Sequence, residues 1–76
     1  MRYPDRETVE RIRGEYPAGT VVELVRMDDP QAPPPGAHGT VIFVDDIATV
    51  HIAWQTGGSL GAAYGVDIVR KVDAND

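Results

Sequence analysis

Four of the six residues 30–35 are prolines: Pro30, then Pro33, Pro34 and Pro35 in a row. Proline fixes φ and removes a backbone donor, so neither a helix nor a central strand can run through this stretch. Residues 28–36 therefore read as one long loop, stiffened by polyproline geometry. A second break, Pro17 followed by Ala18 and Gly19, separates the first sixteen residues from the rest. Everything the chain builds must fit between these interruptions.

Before Pro17 the periodicity is helical. Val9, Ile12 and Tyr16 fall at i, i+3 and i+7, one narrow apolar stripe. Asp5 is placed to cap the N-terminus, Glu7 and Arg11 stand at i, i+4, and Gly14 weakens the last turn. The spacing predicts a helix over residues 5–15. A helix of about ten residues is marginal alone in water, so its stripe should dock on the body of the protein or on a partner.

After Gly19 the pattern becomes that of strands. Residues 20–27, 39–44, 49–55, 59–64 and 68–72 carry the β-branched and alternating positions, separated by turn residues. Thr56, Gly57 and Gly58 read as a hairpin, and Gly65, Val66 and Asp67 as a tight single turn. Alternation nominates Val22, Leu24, Val41, Val44, Val50, Ile52, Trp54 and Leu60 as core. The fold expected is mostly β: a small SH3-like barrel of about five strands behind a short N-terminal α-helix. In domain terms these are residues 1–16 (helix), 17–72 (barrel) and 73–76 (a polar tail that should fray).

The chain's 76 residues leave room for one domain. It has no cysteine, which excludes disulfides and thiolate metal sites and fits a reducing, cytoplasmic setting. The longest apolar runs are a few residues, too short to span a bilayer, and no secretion signal is evident. The net charge is −5. Residues 1–16 hold four basic and four acidic side chains, so the whole imbalance lies in the body. A basic face for phosphates is missing, which makes nucleic acid an unfavoured partner. An acidic body suits a basic protein surface, or simply keeps a small protein soluble.

Tyr16 to Thr20, Val22 to Leu24, Met27 to Pro30 and Pro33 to Gly36 are four short motifs in close succession. With Gly39 to Val41, Val44 to Asp46, His51, Trp54, Gly57, Ser59, Leu60 and Gly65 to Asp67, they resemble a family of small bacterial and phage-associated proteins. That family is known as domain of unknown function 4314. The likeness covers roughly residues 3–72. It implies an SH3-like fold and occurrence on phages and mobile elements, and it implies no activity. The chain departs from the family pattern after its tryptophan, with Gln55, Thr56 and Gly57 where Asp-Asn-Gly is usual. A looser similarity, in Gly39-Thr40-Val41 and in Trp54 and Gly57, is to SH3-like repeats of eukaryotic ubiquitin ligases.

No nucleophile and base stand together in the sequence. Ser59 is the only serine, and His38 and His51 are the only histidines. The reading is therefore a binding module with no catalytic residues, no cofactor and no metal. His51 with Asp45 and Asp46 could be assembled by a hairpin, yet aspartates at a turn also serve the turn's own amides. Trp54 is either a core residue or the wall of a ligand groove with Tyr64 and the proline loop. Several loops of a small barrel can share one rim. The expected partner surface is therefore Asp28, Asp29, Pro33, Pro34, Pro35, Asp45, Asp46, Tyr64 and Asp67. Another protein is the expected partner. The alternatives are an acidic DNA mimic that inhibits a host defence nuclease, and a nucleic-acid-binding SH3-like domain.

Overall fold

The structure is a computed structural model and describes residues 4–72; the expected tail, 73–76, lies outside them. One α-helix, α1 (Arg6–Glu15), precedes five strands: β1 (Val21–Arg26), β2 (His38–Val44), β3 (Thr49–Trp54), β4 (Ser59–Ala63) and β5 (Ile68–Lys71). The strands form a single antiparallel sheet in the order β4-β3-β2-β1-β5. The architecture is mostly β, and this neighbour order is the one that the SH3-like reading requires.

The helix forms where the sequence starts and stops it. Asp5 Oδ1 accepts from Thr8 N at 2.8 Å, and Tyr16 N closes the last turn on Ile12 O at 2.9 Å. Arg11 pairs forward with Glu15 at 3.5 Å rather than back with Glu7. The stripe docks on the chain's own sheet: Val9 and Ile12 are buried in the same cluster as Val22, Leu24, Val41, Val44, Val50, Ile52, Trp54 and Ala62. Of the eight expected core residues only Leu60 stays partly exposed.

Val41 and Val44 are both buried although three positions apart, an odd spacing for a strand. A bulge resolves this. The β2–β3 register shifts between Val41 and Phe43, so Ile42 and Phe43 both face outward before Val44 turns in. In the turn that follows, Ala48 takes φ 61° and is fully buried, and Asp45 Oδ1 accepts from Ile47 N and Thr49 N.

Two expectations need correction. The proline loop is not one polyproline run but contains two turns, closed by Ala32 N to Asp29 O and Ala37 N to Pro34 O. Pro30 and Pro35 sit second in each, where their fixed φ is already suitable, and Gly36 follows at φ 92°. The sheet also does not close. β4 and β5 are edges, joined through residues 64–67 and not paired with each other. The turn uses the last β4 residue's edge groups itself: Val66 N and Asp67 N donate to Ala63 O, and Asp67 Oδ2 accepts from Ala63 N.

Candidate functional site

The open side of the sheet is concave. A groove of about 530 Å³ runs between α1, the 64–67 turn and the start of β5. That size falls within the ~300–1,000 Å³ typical of ligand sites. Ile12, Val50, Ala62 and Val69 supply apolar surface that belongs to the core or packs against it. Ala63, Tyr16, Tyr64, Val66 and Ile68 complete the apolar lining, and the last three are exposed, Val66 at 73%.

The charged residues of the groove are Arg11, Glu15, Arg26 and Asp67. Arg11 donates to the Tyr64 hydroxyl at 3.0 Å and lies 5.7 Å from its ring centroid, so the helix is tied to the turn. Asp67 is committed to Ala63 N. Burial, reinforced by the Glu15 charge, raises the Tyr16 phenol above its ordinary pKa, and Lys71 Nζ stands 5.3 Å from that ring. The lining has no serine, threonine, cysteine, histidine or lysine. What it offers is apolar contact with ionic partners at the margin.

A second cluster lies on the outer face of the sheet. The Phe43 and His51 rings stack at 4.3 Å between centroids and 8° between planes, and His51 Nε2 meets Asp45 Oδ2 at 2.9 Å. Burial by itself would raise the Asp45 pKa. The hydrogen bonds from His51, Thr49 and Ile47 outweigh it and hold the carboxyl below its usual range. Asp46 does not join this pair; it meets Arg13 at 2.7 Å, beside the bond from Arg13 Nε to Val44 O. Among the described residues no three His, Cys, Asp or Glu side chains converge as metal ligands would.

The nine residues expected to form one rim are divided. The proline loop enters β2 at its start and Asp45 and Asp46 leave at its end, separated by a seven-residue strand. That is about 20 Å of strand. Tyr64 and Asp67 line the groove, and their turn adjoins the Asp45 turn through Tyr64 N to Ala48 O. Pro33 lines a smaller pocket with Trp54 and the 56–60 hairpin. Asp28, Asp29, Pro34 and Pro35 are exposed on the loop. Trp54 is a core residue, 5% exposed, and its Nε1 donates to Leu60 O at 3.1 Å. Trp54 and Pro33 therefore share the smaller pocket, while Tyr64 lies apart in the groove.

Sequence reasoning missed Val66, Ile68 and Arg26. The available signal was Val66 itself, an apolar residue between Gly65 and Asp67 in a turn whose chemistry has no use for one.

No helix among the described residues is long and apolar enough to cross a membrane. No curated protein and no solved structure matches the chain. A family model does match, over residues 5–72, and so takes in α1 and all five strands. The chain belongs to the family described as Domain of unknown function (DUF4314).

Proposed function

We propose that the chain is a non-enzymatic protein-interaction module that takes a protein partner in the groove between α1 and the open sheet edges. The observation that carries this reading is the exposed apolar lip of Tyr64, Val66 and Ile68 beside apolar surface continuous with the core. Covering such surface contributes about 25 cal/mol per Å², the usual driving force for a protein contact. Exposed aromatics such as Tyr64 are frequent anchors in such contacts. The phage or mobile-element setting belongs to this proposal.

The division of the acidic residues favours the module over a DNA mimic. Glu23 is held by Arg70 and His38, Asp45 by His51, and Asp46 by Arg13. Mimicry works through a continuous acidic stripe, and these carboxylates already have cationic or imidazole neighbours. The acidic loop at Asp28 and Asp29 becomes at most a steering element.

The test is capture of partners from the native host with two double variants, each checked for fold by circular dichroism. Val66→Asp with Ile68→Asp should abolish capture. Asp28→Lys with Asp29→Lys should retain it, with a change only in salt dependence. The opposite pattern would return the site to the acidic loop.

A further inference from the structure

Resting on the groove as the contact surface, we infer that its occupant is an extended peptide segment. It pairs along the free edge of β5, with an apolar side chain in the groove and a neighbouring carboxylate on Arg26.

The first observation is the state of Arg26. Arg6 pairs with Glu10, Arg11 with Glu15 and Tyr64, Arg13 with Asp46, and Arg70 with Glu23. The Arg26 side chain, among the described residues, has no hydrogen-bond or ion-pair partner, and it lines the groove. Glu15 is engaged by Arg11, and Asp67 accepts from Ala63 N. The unsatisfied charge in the groove is therefore a guanidinium, whose planar donors suit a carboxylate.

The second observation is how Arg26 is placed. The β1–β5 register shifts between Leu24 and Arg26, so Arg26 stands opposite Ile68, the first residue of β5. Bulges of this kind re-aim side chains at functional surfaces. Here the bulge sets a free cation beside the exposed Ile68 where the edge strand begins.

The third observation is the edge itself. Val72 N donates to Val21 O, which makes that pair a hydrogen-bonded one. Alternation along an antiparallel ladder then makes Val22 with Lys71 and Leu24 with Val69 the non-bonded pairs. The main-chain groups of Val69 and Lys71 consequently point away from β1, to the side where no strand lies. An added strand satisfies such groups and gains affinity from main-chain bonds, with alternate side chains read by the surface beneath.

The test is selection of a random-peptide display library on the whole chain, followed by binding measurements on the selected peptides. Selected peptides should carry Asp or Glu next to an apolar residue. Arg26→Gln should weaken them about 10- to 100-fold, as loss of a charged hydrogen bond does. N-methylation at alternate peptide amides, and not at the amides between, should abolish binding. Selected peptides without a carboxylate, indifference to Arg26→Gln, or no alternation in the N-methyl scan would overturn the proposal. So would an empty selection. If the host partner is still lost from the Val66→Asp, Ile68→Asp variant, the groove reading survives that failure; if it is retained, both fall.

Discussion

Arg11 Nη2 donates to the Tyr64 hydroxyl at 3.0 Å, across 53 residues of chain, and joins the helix to the turn between the two sheet edges. The bond fixes one wall of the groove against the other. Tyr64→Phe keeps the ring over the guanidinium and removes only the acceptor. Hydrogen exchange should accelerate at the C-terminal amides of α1, with the strand amides unchanged. Equal acceleration throughout the sheet would mean that the bond supports the whole fold rather than the groove.

Ile52 is fully buried at the centre of β3. Ile52→Ala should cost about 2–5 kcal/mol, since it removes methyl and methylene contacts and leaves a cavity. Urea unfolding measures this directly. In a chain of this size, where the total stability is small, such a loss is a large fraction of it.

Gly39 is buried and faces Ile52, Trp54 and the Ala53 carbonyl closely enough that a β-carbon has no room. An added Cβ would stand 2.9 Å from Trp54 Cε3 and closer still to Ile52 Cγ2. Gly39→Ala should therefore destabilise by about 1–3 kcal/mol through overpacking. Gly14→Ala is the control: nothing lies near its β-carbon and its backbone is helical, so it should stabilise slightly.

Glu23 is held below its ordinary pKa, first by the hydrogen bonds from Arg70 and then by His38. A depressed carboxylate contributes stability that is present above its unfolded pKa, about 4.3, and lost as pH falls through the folded value. The melting temperature of the wild type should exceed that of Glu23→Gln near neutral pH. The gap should close as pH drops below about 4. A gap that stays constant to low pH would show that the carboxylate's charge is not what the pair contributes.

The fold was legible because the alternation was strong where it mattered. Val22 and Leu24, then Val50, Ile52 and Trp54, mark the inner face at period two, and each is buried. Asp5 and Pro17 bracket the helix. Val41 and Val44 were both legible as core, but the bulge that lets one strand bury both was not. The site was less legible because it depends on which ends of the strands meet. No residue type reports that β2 separates Asp45 from the prolines, or that the sheet stays open at β4 and β5. The Asp residues attracted attention as charges, whereas Asp29, Asp45 and Asp67 bond the amides of their own turns.

The central claim is that partners meet the protein at the groove. The most direct measurement is site-specific photo-crosslinking in the native host, with the reactive side chain placed in turn at Val66, at Ile68 and at Pro34. Val66 and Ile68 lie on the groove and Pro34 on the proline loop. The account predicts the same crosslinked protein from Val66 and Ile68, and none from Pro34. A crosslink from Pro34, with neither groove position reacting, would contradict it.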